Sequence, residues 1–323
     1  MILCLTHSKD HYTIDIVQHA LQEAGYDVLR FNSDEFAIQY QLQYTLGGDT
    51  NETYLELNGK KIRAQEIEAV WYRKLWNLQV PQGLDPAWRD VFTKEYQAYL
   101  NIFFNSLQHV PWINPMQADH TVGNDKLLQL RLAREAGLQV PASVFTNQPQ
   151  VIQSFFEQCK GDMIVKLHGA LSRSMEGNTP FFPTTRLREE DLDQLDQLAY
   201  CPMIFQEFIP KDYELRIIYV DGTFFTGKIP AEGSDPTDWR STKGARIEWQ
   251  HYELPDVIKQ SIDNMMRRMG LLFGAIDMIK NTNGEYVFLE VNPQGEWGMI
   301  QKSLSYPIGQ TIAQKLITRI HNG

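Results

Sequence analysis

The chain is predicted to be α+β in its catalytic part with an α/β domain in front. Three observations predict this. The first residues read strand, helix, strand; the last third alternates strands with helices; and two late strands carry acids thirteen positions apart, Asp277 and Glu290, on either side of a turn. A length of 323 residues allows a large core and two or three domains.

In order, Ile2-Leu3-Cys4-Leu5 is a short apolar run, read as a buried strand. Helical periodicity from Thr13 to Ala24 stops at Gly25, and Val28 to Phe31 is the next strand. Gly47-Gly48-Asp49 marks a turn between alternating segments, Tyr40 to Leu46 and Thr53 to Leu57, which predicts a hairpin. Ala69 to Tyr72 is another buried strand, ending at Arg73 and Lys74. A long aromatic-rich helix runs from Asp85 to about Leu107, and the proline-broken stretch Val110 to Pro115 places a domain boundary near residue 115.

Beyond it, the pattern predicts a helix from Gly123 to Glu135, ended by Gly137, and a strand from Val140 to Phe145. Ile164 to Leu167 is a strand entering a loop of small and polar residues, His168 to Asn178. Arg188 to Leu198 reads as an acidic helix and Met203 to Ile209 as a strand. Further strands are expected at Leu215 to Val220, Thr223 to Lys228, Gly274 to Ile279 and Tyr286 to Val291, with helices at Val257 to Met269 and Ile308 to Ile320.

The composition excludes several classes. Hydrophobic residues at 43% and charged residues at 22% are ordinary globular values. A formal charge of −10 argues against nonspecific nucleic-acid binding, which needs a basic surface, and leaves room for a basic peptide partner. Cys4, Cys159 and Cys201 show neither a disulfide framework nor a metal spacing, which fits a reducing compartment. The opening lacks the basic flank of a signal peptide, and no run is long enough to cross a bilayer; the expectation is a soluble cytoplasmic protein.

The chemistry-bearing residues come in a definite order. Two antiparallel strands joined by Asn281-Thr282-Asn283-Gly284 put Asp277 and Glu290 at one end of a hairpin, and alternation puts Asn292 on the face of Glu290. Three oxygen donors on one face suit Mg²⁺. The same acids would also fit a solvent-facing hairpin, but apolar neighbours on both strands argue for burial, where acids need partners. Lys126 opens a helix after Asn124-Asp125, where a lysine is more often a plain surface residue. Lys166 lies in an apolar strand, where a cation needs an anion, and the loop after it can fold over phosphates. Gln206-Glu207-Phe208-Ile209 runs from a strand into a linker whose backbone can meet an adenine edge. Glu214 can accept from ribose hydroxyls, and Arg216, one alternation on, can reach phosphate or acyl-phosphate oxygens. An ordinary hairpin with an exposed ion pair explains that last stretch in isolation.

Taken together, that order resembles the ATP-grasp superfamily from about residue 116 onward. The resemblance implies ATP and Mg²⁺ as cofactors. It makes Lys126 and Lys166 the nucleotide lysines, Gln206 to Ile209 the adenine hinge, Glu214 the ribose acid, and Asp277, Glu290 and Asn292 the metal ligands. It also implies a pre-ATP-grasp domain over 1–115, a central subdomain over 116–200 and a C-terminal subdomain over 201–323. Many members carry an arginine where this chain has Ala275, so transition-state charge falls to other candidates: Arg216, Lys228 and Arg240.

A narrower resemblance spans essentially the whole chain. Val70-Trp71-Tyr72-Arg73-Lys74, Cys201 to Glu207, Glu214 to Ile217, Asp238-Trp239-Arg240 and Gly274 to Ile279 are similar to the graspetide ligases that cyclise microviridin precursors. That family joins side-chain carboxylates of a ribosomal peptide to Ser/Thr hydroxyls or to a Lys amine. The stretch Asn292 to Met299 resembles the lactam-forming branch. The resemblance further implies a homodimer, and a helix whose Glu190, Asp191 and Gln194 dock the precursor's leader peptide. Without it, that acidic run reads as a solvated face.

Overall fold

The computed structural model describes residues 1–47, 50–168, 184–230 and 248–322. The chain divides into two units. One is Met1–Met116 with Glu296–Gln301 and Pro307–Gly323; the other is Gln117–Gly295 with Lys302–Tyr306.

The first unit is built on a parallel sheet. Strands β1 (Ile2–Thr6) and β2 (Val28–Asn32) are linked through helix α1 (Thr13–Glu23). A three-stranded antiparallel sheet of β3 (Tyr40–Gly47), β4 (Thr50–Leu57) and β5 (Lys60–Arg63) follows the short helix α2 (Phe36–Gln39). The chain then returns through β6 (Ala69–Tyr72), helix α3 (Arg89–Ser106) and β7 (Trp112–Ile113) to give the parallel order β2-β1-β6-β7. Every residue of β1 is buried, as a central parallel strand covered on both faces requires. Leu3, Leu5, Phe31, Val70 and Tyr72 pack with Phe103, Phe104 and Leu107 at the end of α3, forming one core. The expected helix from Asp85 begins as a 3₁₀ turn, Pro86–Trp88, because the Asp85 side chain accepts from the Ala87 amide and Pro86 sets the first φ.

The second unit opens with helices α4 (Met116–Asn124) and α5 (Lys126–Glu135). This corrects the single helix expected from Gly123: Asp125 takes a non-helical conformation and caps α5 through its side chain and the Leu128 amide, so the chain stops and restarts there. Strand β8 (Ser143–Thr146) starts three residues later than expected, and helix α6 (Pro149–Gln158) is one the sequence reading did not find. With β9 (Met163–Lys166), β10 (Thr185–Leu187) and β11 (Met203–Glu207), β8 makes an antiparallel sheet in the order β10-β9-β11-β8. The acidic helix is a 3₁₀ helix, Glu189–Tyr200. At three residues per turn Leu192 and Leu195 stack on one side, and both meet the core that backs this sheet.

A second antiparallel sheet carries β12 (Lys211–Val220), β13 (Thr223–Pro230), β14 (Gln250–His251), β15 (Phe273–Asn281) and β16 (Tyr286–Asn292), in the order β14-β13-β12-β15-β16. Helix α7 (Asp256–Met269) covers one face. There Ile262, Met265 and Met266 pack on Leu215, Ile217, Ile276, Met278 and Phe288. After α8 (Gly298–Leu304), helix α9 (Ile308–Asn322) returns to the first unit and packs on α1 and β6. No helix among the described residues is long and apolar enough to cross a membrane.

Candidate active site

The face of the second sheet turned away from α7 carries a row of charges. Arg216 on β12 stands opposite Asp277 on β15, and Asp277 opposite Glu290 on β16. Residues directly opposed across strands share a face, so the three side chains line up. An Arg216 terminal nitrogen donates to both Asp277 carboxylate oxygens, at 2.8 and 3.0 Å. Pairing shifts between Asp277 and Met278, so that Leu289 is an extra residue between their partners, Glu290 and Phe288. Strict alternation would put Glu290 on the face of Phe288, which is in the core. The β-bulge lets Phe288 point inward and still turns Leu289 and Glu290 to the other face. Asn292, opposite Ala275, shares that face, and its side-chain oxygen accepts from the Gln294 amide at 3.0 Å.

Helix α5 supplies the next layer. Lys126, its first residue, donates to Glu290 at 2.7 Å. One turn on, the buried Gln129 clasps the backbone of Val291, between Glu290 and Asn292. Its oxygen accepts from the Val291 amide at 2.9 Å and its nitrogen donates to the Val291 carbonyl at 3.0 Å. A side-chain amide here extends the sheet edge as a strand would. It fixes the two oxygen-bearing residues relative to the helix that carries the lysine.

Beside the row lies a cavity lined by Pro141, Ile164, Gln206, Glu207, Phe208, Ile209, Lys211, Glu214, Ile279 and Leu289. It gathers the four expected hinge residues and Glu214. Apolar side chains from both sheets form its walls, and Glu214, ion-paired with Lys211, is one of its acids. The hinge differs from the expectation in one respect. The Glu207 amide donates to the Ala142 carbonyl at 3.0 Å and the Phe208 amide to the Asp162 carbonyl at 2.8 Å, so these two N–H groups are committed within the chain. Lys166 pairs with Ile204, two residues from Ile164, and so lies on the cavity face of β9. His168 just beyond it is held below the usual imidazole range by burial and then by the Lys126 charge.

Other expected residues stand elsewhere or are not described. Lys228 is opposite Leu215 on the α7 face of the sheet, not beside Arg216, and its ammonium sits 4.1 Å from the centroid of the Tyr213 ring. Arg240, the loop residues 169–178 and the side chain of Gln194 lie outside the described residues. Glu190 and Asp191 are exposed; Asp191 caps its own helix through the Arg188 amide at 2.8 Å. In a 3₁₀ helix Asp191 and Gln194 fall in line while Glu190 is a third of a turn away. The four-residue spacing of an α-helical grip therefore does not apply.

Among the described residues no group of three or more His, Cys, Asp or Glu side chains forms a metal site. The set on the active face is two acids and an amide. Such a set fits Mg²⁺, which takes one or two protein carboxylates and completes its shell with phosphate oxygens and water.

The chain also matches known proteins along its length. Residues 1–120 match the MvdD pre-ATP grasp domain, and residues 123–320 match the RimK-like ATP-grasp domain. No curated protein matches the chain by sequence. Among solved structures, the macrocyclase MdnB from Microcystis aeruginosa MRC is 39% identical, with a TM-score of 0.83 and 98% of each chain covered. The macrocyclase MdnC from the same organism, bound with precursor peptide MdnA, is 32% identical with a TM-score of 0.86, over 98% of this chain and 99% of that one. A RiPP-associated ATP-grasp ligase from Chryseobacterium gregarium, in complex with ADP and a leader and core peptide, is 30% identical with a TM-score of 0.90, over 98% and 96%. With an α/β front domain, an ATP-grasp domain and whole-length relatives of this kind, the chain belongs to the graspetide branch of the ATP-grasp family and is an ATP-dependent ligase.

Proposed function

We propose that the protein phosphorylates an Asp or Glu side-chain carboxylate of a ribosomal, microviridin-type precursor peptide and joins it to a lysine amine, forming a lactam. The observation that carries this reading is the row Arg216, Asp277 and Glu290 with Lys126 over it, beside an apolar cavity with an acid at its edge. Each carboxylate already faces a cation that the fold holds in place, so phosphates enter a site built around alternating charge.

In this reading Lys126, Lys166, the segment Gln206 to Ile209 and Glu214 bind ATP. Asp277, Glu290 and Asn292 would hold Mg²⁺, which supplies charge neutralisation at the β- and γ-phosphates. A substrate carboxylate oxygen attacks the γ-phosphorus, the bond to the bridging oxygen breaks, and ADP leaves with that oxygen. The lysine amine then attacks the acyl carbon through a tetrahedral oxyanion; the C–O bond to phosphate breaks, and inorganic phosphate leaves. Arg216, on the same face as Asp277, is the donor best placed to stabilise the charge that develops. Peptide-bound relatives support a peptide substrate, and the similarity of Asn292 to Met299 to the lactam-forming branch supports the lysine as acceptor. Leader docking at Glu190, Asp191 and Gln194 belongs to the same reading.

Mass spectrometry tests it. A precursor that already carries its lactones, incubated with the protein, ATP and Mg²⁺, is expected to lose one water. Asp277→Ala and acylation of the core lysine should each abolish that loss. Water loss from untreated precursor that survives lysine acylation would move the reaction to ester formation. No mass change while ATP is bound would reject the peptide-ligase reading.

A further inference from the structure

Strand β12 begins with an irregularity that alternation does not predict. Lys211 pairs with Asn281 on β15 and Tyr213 with Lys280, so Asp212 is an extra residue between them. Side chains of a regular strand alternate, which would set Lys211 on the face of Tyr213 and away from Glu214. Tyr213 packs against the core under α7, and its hydroxyl bonds to that of Tyr252 at 2.8 Å. The bulge instead turns Lys211 to the other face, that of Glu214 and Ile279. Both members of the resulting ion pair, Lys211 and Glu214, line the apolar cavity beside the charged row.

The pair stands where ions are costly. The Lys211 side chain is 8% exposed and that of Glu214 15%, beside walls that include Ile209, Ile279 and Leu289. Withdrawing two charges from water offsets most of their attraction, so an ion pair here does little to hold the sheet together. Its chemistry is more telling. An ammonium carries three N–H donors and no acceptor, while a carboxylate carries only acceptors. Among the described residues the Lys211 ammonium makes one hydrogen bond, to Glu214, so two donors remain. A hydroxyl both donates and accepts. It can give its proton to the Glu214 carboxylate while an oxygen of the same ligand accepts from Lys211. A group with donors alone or acceptors alone satisfies only one end of the pair.

We propose that Lys211 is a specificity-determining residue which, together with Glu214, reads the 2′,3′-diol of a ribonucleotide. The acid alone asks only for a hydroxyl that donates. The pair asks for oxygens that accept as well, and a vicinal diol meets both ends at once. A deoxynucleotide leaves one of the two buried charges short of its partner, and sites built to hydrogen-bond a hydroxyl reject analogues that lack it. The bulge at Asp212 is the device that brings the second half of the reader to the first. The inference rests on the reading that ATP lies in this cavity with its ribose at Glu214.

The test is calorimetric titration of ATP, 2′-deoxy-ATP and 3′-deoxy-ATP, each with Mg²⁺, into wild type, Lys211→Met and Glu214→Gln. Wild type should bind ATP about ten-fold more tightly than either deoxynucleotide, the scale of one hydrogen bond to a charged group. Lys211→Met should lose most of that preference, chiefly by binding ATP more weakly, and Glu214→Gln should lose it too. A Lys211→Met protein that binds all three nucleotides more weakly by one common factor, with the preference kept, makes Lys211 a structural residue and overturns the inference. Where Lys211→Met does not fold, Lys211→Gln, whose amide donates without a charge, carries the same comparison. Wild type that binds ATP and joins precursor but takes the three nucleotides equally overturns this inference alone. Wild type that binds no ATP overturns the placement of ATP as well.

Discussion

Gly295 and Ala275 share a space that only one of them can fill. A methyl group added at Gly295 would lie 2.2 Å from the Ala275 methyl and 3.0 Å from an Arg216 terminal nitrogen. An arginine at position 275, as many ATP-grasp proteins have, would therefore displace the turn after Asn292. The cation comes instead from Arg216 on the adjacent strand. Gly295→Ala is expected to lower kcat/KM for ligation by about ten-fold or more, since overpacking a tight site costs about 1–3 kcal/mol. Adding Ala275→Gly should restore most of the loss; full activity in the single variant would contradict this packing account. At this scale residue type and spacing named Lys126, Asp277 and Glu290, and the structure sets the three side by side. Gln129 and Leu289 were not readable. A glutamine on a helix face and a leucine in a strand carry no signal until the clasp on Val291 and the bulge give them one.

Helix α5 and strand β16 meet through that clasp. Replacing Gln129 by leucine would leave the Val291 amide and carbonyl buried without their side-chain partner. The expected cost is about 2–4 kcal/mol of stability, the price of two unmet backbone groups. Because Glu290 and Asn292 flank Val291, the KM for ATP should rise as well. Thermal denaturation and ATP titration check this; a loss of stability with unchanged ATP kinetics would make the clasp purely structural. Elements with strong periodicity or glycine stops, such as α1 and the β15–β16 pair, were legible in the sequence. Helix α6 was missed although its signals were present: Pro149 stands in its first turn, and Val151, Ile152, Phe155 and Phe156 recur at helical spacing. The acidic helix was legible as helical, but its three-residue period became clear only from Leu192 and Leu195 facing one core.

The molecule as a whole is one unit interrupted by another. The first unit needs residues from both ends of the chain: β1 and β6 come early, and α9, with Ile308, Ile312 and Leu316 buried, comes last. The second unit is nearly continuous between Gln117 and Gly295. Removing residues 308–322 should therefore expose the first unit to limited proteolysis while sites within 117–295 stay protected; cleavage spread evenly over both would count against separate cores. On the ribosome, this arrangement fixes an order of events. The ATP-grasp unit can complete its own sheets while the tunnel still holds α9, whereas the unit that begins first must wait with one face of β6 uncovered until α9 emerges. Residues 1–116 thus mature only once 308–322 have been made, later than the unit that follows them in the chain.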